Sequence, residues 1–459
     1  MDSNGVLSGL DDDAAGSEAW FREQLRTLVE LPTVSPGVTD DREIRAGALA
    51  AREIFESIGA EAELVETRGT PCVLARLRHP QARAKLVVYN HLDVQPASGP
   101  AWLQSDPFHF EVEKHDKRGF LYRGRGATDD KGPALCAVRA AKLAIDRGVP
   151  IDVTFVWETE EEIGSPHFGE VIAARREQLD CEAVIVSDTI WPTDEQPAVS
   201  TGLRGSLYAT LRLRTAGKES HSGLVGGVAR NPIRELCKLA SAIDGASFWQ
   251  AGVLVPSEDE IASFLKSGFD TDYFKHAYDL HHMTTEVPLE IMLKVWTRPT
   301  FEVHGMVGGY TGPGIKTIIP DAAELKISFR LVPDQDPRVL ADALCEFVRH
   351  YNPDVTCEVS GWLAPFRAPT SGRVHEAIVG ALHHTTGRCP VTVREGGSIG
   401  AVPVIARELG VPVHFLPLSL PDHGYHAPNE YFDWRQARIG IAAFARTFAT
   451  VAAGGGGEP

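Results

Sequence analysis

Residues 151–165 read IDVTFVWETEEEIGS. The first seven are apolar and β-branched enough for a buried strand. The carboxylates follow where that strand ends. Glu160, Glu161 and Glu162 stand side by side and repel one another unless cations offset the charge. A solvated acidic loop is the ordinary reading of such a run, and its place directly after an apolar strand argues against it. The same pattern recurs. LVVYN (Leu86–Asn90) runs into His91, AVIVS (Ala183–Ser187) into Asp188, and PVHFLPL (Pro412–Leu418) into a loop that reaches His426. Ligands in open α/β sheets gather beyond the carboxyl ends of the strands, so four such ends imply one convergent site. A helix is expected after Asp130, where Leu135, Val138, Ala141 and Ile145 keep a three-to-four spacing.

The middle of the chain has a different period. SLYATLRLR (Ser206–Arg214) and ELKISFRLV (Glu324–Val332) alternate apolar and polar residues. Helical segments follow at Pro232–Ile243 and Pro337–Val348, with further strands near Phe301–His304 and Val355–Val359. The order β-α-β-β-α-β is that of a ferredoxin-like unit, with one sheet face or an edge free to pair with a second subunit. The α/β character returns at about Arg388. The expected fold is therefore α/β. A catalytic domain with a mixed, mostly parallel central sheet is split by an inserted ferredoxin-like lid and dimerisation domain. The expected boundaries are a loose segment 1–17, a first catalytic part 18–204, an insert 205–387, a second catalytic part 388–451 and a flexible tail 452–459. Gly245–Lys294 carries no recognisable motif.

The chain has 459 residues, 43% of them hydrophobic and 23% charged, which excludes a mostly disordered protein. Its net charge of -17 argues against nucleic acid or an anionic membrane as a main partner. Seven irregularly spaced cysteines with no CxxC pair fit reduced thiols better than a disulfide framework. The N-terminus has no signal-peptide pattern, and no apolar run approaches the roughly 20 residues of a membrane helix. A cytoplasmic protein is expected.

Five further stretches carry chemistry. In NHLDVQP, His91 and Asp93 point the same way along an extended segment, so the carboxylate can orient the imidazole. GRGATDDKGP holds Asp129 and Asp130; a phosphate loop is excluded because no GK[ST] follows. Asp188 follows a strand, and PDHGYHAPNE offers two histidines, His423 and His426, that are both ligands by type. ESHSG places His221 in the middle domain.

In this order the motifs resemble the family of co-catalytic dinuclear metallopeptidases that includes aminoacylase, carboxypeptidase G and the carnosinase-type dipeptidases. GRGATDDKGP, RGSLY, HSGLVGG, KTIIP, FRLVP and REGGSI are similar to its cytosolic dipeptidase branch. The resemblance implies that His91, Asp129 and Asp188 hold one ion and that Asp129, Glu162 and His426 hold the other, with Asp129 bridging. It makes Glu161 the general base and Asp93 the partner of His91. It implies a cis Asp129–Asp130 peptide, a homodimer in which His221 reaches the neighbouring subunit's site, and Arg330 gripping a substrate carboxylate with Thr317, Gly397 and Ser398 nearby. Asn90 and Thr159 depart from the glycines usual at those places.

Two divalent ions bring +4, and Asp129, Asp188, Glu162 and a hydroxide offset them, the balance a shielded site needs. The His/carboxylate set suits zinc first, then manganese or cobalt. The expected activity is metal-dependent hydrolysis of dipeptides or similar small peptides with a free carboxylate. The alternatives are a deacylase, desuccinylase or carbamoylase of N-acyl amino acids, and, further off, an inactive binding protein.

Overall fold

The computed structural model describes residues 3–35, 37 and 40–454. Its centre is a six-stranded sheet in the order Glu61–Val65, Cys72–Leu77, Ile151–Glu158, Ala84–His91, Ala183–Val186, Val413–Phe415. The last four strands are parallel and the first two join antiparallel. Parallel strands need cover on both faces. One face packs under Gly132–Asp146 and the C-terminal helix Trp434–Gly454, and the other under Phe168–Arg175 and Ala401–Leu409. The buried runs end in chemistry: Ala84–His91 closes on His91, and Ile151–Glu158 feeds the Glu160–Glu162 turn.

The inserted sheet has the strand order Thr300–Gly308, Ala322–Leu331, Gly205–Arg214, Thr356–Leu363, all antiparallel. Helices Pro232–Asp244 and Pro337–Tyr351 cover one face with Leu236, Leu239, Leu340 and Leu344. This is the ferredoxin-like arrangement that the alternation implied. On the uncovered side Tyr208, Val303, Val307 and Trp362 are exposed.

Three expectations about the domains change. The N-terminal segment is not loose: Ser3–Ala15 is a helix. Leu10 and Ala14 are fully buried, and Asp11 and Asp13 pair with Arg446 and Arg147 at the body's surface. The apolar positions spaced by three to four outweigh the aspartates between them. The boundary at residue 387 lies too late. Helix Arg373–Thr386 packs on the C-terminal helix, and its Val374, Ile378 and Leu382 belong to the body's core. The C-terminal helix runs on to Gly454, so residues 452–454 are not tail; 455–459 lie outside the described residues.

The motif-free stretch folds back on the body. Phe264 and Met292 join the body's core. Arg394 Nε donates to Glu260 at 3.0 Å, and Tyr273 Oη donates to Asp422 at 2.9 Å. Among the described residues, no helix is long and apolar enough to cross a membrane.

Candidate active site

Asp129 sits between the two histidines. Its Oδ1 lies 3.0 Å from His91 Nε2, and its Oδ2 lies 3.1 Å from His426 Nε2. Asp188 Oδ2 is 3.7 Å from His91 Nε2, and Glu162 Oε2 is 3.1 Å from His426 Nε2. Two three-residue clusters result, His91–Asp129–Asp188 and Asp129–Glu162–His426, each with its candidate ligand atoms within 4.8 Å of one another.

Backbone geometry aims these groups. The Asp129–Asp130 peptide is cis, as the resemblance implied, and His426 takes the left-handed conformation at φ 55°. Glu430 holds the loop from below. Its carboxylate accepts from the amides of Gly126, Thr128 and Asp129 at 2.9, 2.9 and 3.1 Å, and from Arg125 Nη1 at 2.7 Å. Glu430 is fully buried, so it cannot meet a substrate amino group. His423 is likewise spent on structure, between Thr128 Oγ1 at 3.0 Å and Asp433 Oδ2 at 3.1 Å. Of the two histidines in PDHGYHAPNE, only His426 faces the acidic cluster.

Asp93 stands beside His91, though its carboxylate is 3.6 Å from the ring Nδ1 and its backbone carbonyl is closer, at 2.9 Å. The carboxylate accepts instead from the amides of Glu161 and Glu162 at 3.1 and 2.9 Å and from Ser35 Oγ at 2.7 Å. Asp93 therefore ties the first histidine's strand to the turn that carries both glutamates. The two departures from glycine point away from the cavity. Asn90 Nδ2 donates to Asp130 Oδ2 and Ser187 Oγ at 2.6 and 2.7 Å, and Thr159 Oγ1 donates to Pro71 O at 2.9 Å.

The charges test whether this set fits divalent cations. Burial pushes Glu161 well above the usual carboxylate range, and Asp188, Glu162 and Asp93 add to it against the pull of His91. Burial also lifts Asp188 to about 7. Burial works to raise Asp129 too, yet its hydrogen bonds with His426 and His91 hold it below the ordinary value. Burial would lower His426, but its bonds to Asp129 and Glu162 hold it up at about 11. Carboxylates crowded so closely ionise together only with positive charge between them. The donor set of imidazole and carboxylate without thiolate matches zinc, manganese or cobalt.

These groups open into a cavity of about 780 Å³. Glu161, Arg330, Gly397 and Ser398 line it. Arg330 comes from the inserted strand Ala322–Leu331 and donates to Ser398 Oγ at 3.2 Å. The cavity thus spans body and insert. His221 and Thr317 are not on its wall: His221 is exposed, with Nδ1 accepting from the Gly223 amide at 2.9 Å. Two lining residues escaped the sequence reading. Tyr425 precedes His426, and its Oη donates to Asp188 at 3.4 Å. Glu395 lies in REGGSI, and burial lifts it to about 7. Among the described residues its hydrogen bonds, from Ser200 Oγ at 2.6 Å and Ile190 N at 3.3 Å, both fall on Oε1. A charged residue beside two glycines was the available signal.

A model of peptidase family M20/M25/M40 matches residues 87–450. Over 405 residues the chain is 28% identical to the human Beta-Ala-His dipeptidase, spanning 83% of this chain and 78% of that protein. Over 456 residues it is 28% identical to the Cys-Gly metallodipeptidase dug1 of Schizosaccharomyces pombe, spanning 92% and 94%. A solved structure of an M20 family metallo-carboxypeptidase, Sso-CP2 from Sulfolobus solfataricus, superposes with a TM-score of 0.84 at 26% identity, covering 94% of this chain and 98% of that one. The dipeptidase Dug1p from Saccharomyces cerevisiae shares the fold with a TM-score of 0.84 at 24% identity, covering 99% of each.

Proposed function

The chain belongs to peptidase family M20/M25/M40, and from that premise we propose that it hydrolyses the amide bond of dipeptides or similarly small peptides. The observation that carries this reading is Asp129, with one oxygen on each of two histidines, inside the cavity that also holds Arg330. His91 and Asp188 would hold one divalent ion and Glu162 and His426 the other, with Asp129 shared. Zinc is the first choice. When bound, the ions supply Lewis-acid polarisation of the amide carbonyl and a water acidic enough to attack near neutral pH.

Glu161 takes the proton of the attacking water and returns it to the departing amine. A half-buried base lifted above the ordinary carboxylate range suits that exchange. Asp93, by holding the Glu161 and Glu162 amides, keeps base and ligand in one register. Arg330 offers a planar fork for the substrate's terminal carboxylate, with Ser398 and Gly397 beside it. Glu395 is the carboxylate on the same wall that would receive the free amino group.

His221 would act on the neighbouring subunit's site, stabilising the oxyanion, with Thr317 beside it. The exposed apolar residues Leu224, Val228 and Ile315 around that segment support a surface covered by a second copy. A homodimer working in the cytoplasm on small peptides is the whole reading. The deciding experiment compares a dipeptide with its N-acetylated form on protein reconstituted with metal. Cleavage of the free dipeptide alone is expected; cleavage of the acetylated form alone would assign the site to N-acyl amino acids.

A further inference from the structure

Cys345 lies on the inserted helix Pro337–Tyr351, and Cys357 lies on the strand Thr356–Leu363 that packs beneath it. Their sulfur atoms are 3.1 Å apart. That is closer than the roughly 3.5–4.0 Å at which even carbon atoms rest, so the two side chains converge on one point. Each residue is half-buried, within reach of a small oxidant. We propose that Cys345 and Cys357 form a reversible disulfide, a modification site in the inserted domain separate from the peptide-cleaving centre.

The oxidant is a peroxide. The thiolate of one cysteine attacks one peroxide oxygen, giving a sulfenic acid while the other oxygen leaves as water. The other cysteine then attacks that sulfur, forming the S–S bond and releasing a second water. Two thiols lose two protons and two electrons, and hydrogen peroxide becomes two molecules of water. Burial pushes the Cys357 thiol up, and its Cys345 neighbour pushes it further.

The link would tie the helix to the strand that follows it in the chain. The same strand continues into Ser360, Gly361, Trp362 and Leu363 on the cavity wall, so the crosslink anchors that wall to the covering helix. The other five thiols differ in kind. Cys72 and Cys136 are buried without a thiol partner, Cys181 is half-buried, and Cys237 and Cys389 are exposed singly.

The test treats the full-length protein with hydrogen peroxide and maps non-reduced tryptic peptides by mass. Cleavage after Arg349 separates the two cysteines, so a disulfide joins peptide 339–349 to peptide 350–367. The expected result is that joined pair, about 2 Da lighter than the sum of its parts and split by dithiothreitol. A Cys345→Ser variant should lose the joined pair while still being oxidised at Cys237 and Cys389. Free Cys345 and Cys357 after Cys237 has been oxidised would overturn the proposal. So would each of the two thiols being oxidised alone. This mapping reads no catalysis, so it stands or falls apart from the peptidase assay.

Discussion

At the carboxyl ends of the central sheet, Asp129 touches His91 and His426 at 3.0 and 3.1 Å, whereas in the inserted domain His221, on a short strand outside the four-stranded sheet, is exposed and its ring accepts only from the Gly223 amide. Both regions carry residues that the chemistry needs. In the body His91 and Asp129 are buried, Glu162 is half-buried and His426 is exposed; beneath them burial forces each polar group to find its partner within the chain, as Glu430 does with four donors. In the insert, Arg330 is drawn into the cavity while His221 and Thr317 stay outside it. The body and the insert's Arg330 thus build one wall within a single chain, and under the proposed function His221 would serve a second copy.

The largest expected effect tests the body. Glu161→Gln should lower kcat by about 100- to 10,000-fold, the usual contribution of a positioned general base. Two ions should remain bound per chain when metal is measured by elemental analysis. Activity near that of the unchanged protein would remove Glu161 from the mechanism.

The next effect tests the insert. His221→Ala should cost roughly 100- to 1,000-fold in kcat, the range for one oxyanion donor. The same loss should be relieved in mixtures with Glu161→Gln protein, because one hybrid site in the mixed dimer has both residues. No recovery, with subunit exchange verified by mass, would mean that the insert does not serve its neighbour.

How far each region could be read from sequence follows the same divide. The strand ends were legible because an apolar β-branched run followed by a ligand-type residue has few other uses at a sheet's end. Asp93 was legible as a neighbour of His91 but not as the acceptor for Glu161 and Glu162, since that contact crosses 68 and 69 positions of chain. Glu430's place under the Asp129 loop was not legible because three of its four partners are backbone amides, which leave no trace in side-chain spelling. The Ser3–Ala15 helix was hidden by its aspartates, whose partners Arg147 and Arg446 lie far along the chain. Helix Arg373–Thr386 is amphipathic in either domain, so only packing reveals that it belongs to the body.

Acid should separate the two regions by stability. His414 sits on the outermost strand of the central sheet, and burial, helped by His375, lowers it to about 4. The unfolded chain takes up that proton near the ordinary value of about 6.5. Stability from the neutral ring is therefore complete above about pH 6.5, falls as pH drops, and levels off below about 4, a loss of about 3 kcal/mol. Urea unfolding of metal-free protein at pH 7.5 and 4.5 should display most of that loss as the difference between the unchanged protein and His414→Gln. Amide exchange should accelerate first in Val413–Phe415 and later in the inserted strands. Equal acceleration in both sheets would break the distinction.

The smallest effect asks how the body holds its own half together. Asp93→Asn keeps the shape of the side chain but sets an amide nitrogen against one of three donors, the amides of Glu161 and Glu162 or Ser35 Oγ. The turn carrying base and ligand should loosen while His91 keeps its bond to the Asp93 carbonyl. Outer-shell partners of this kind are worth about 10- to 100-fold in metal affinity or activity. Titration against a chelator should place the loss on the ion that Glu162 and His426 would hold, with the His91–Asp188 ion bound as before. An equal weakening of both ions would mean that Asp93 acts through His91 after all, and the turn would then owe its position to the Ile151–Glu158 strand alone.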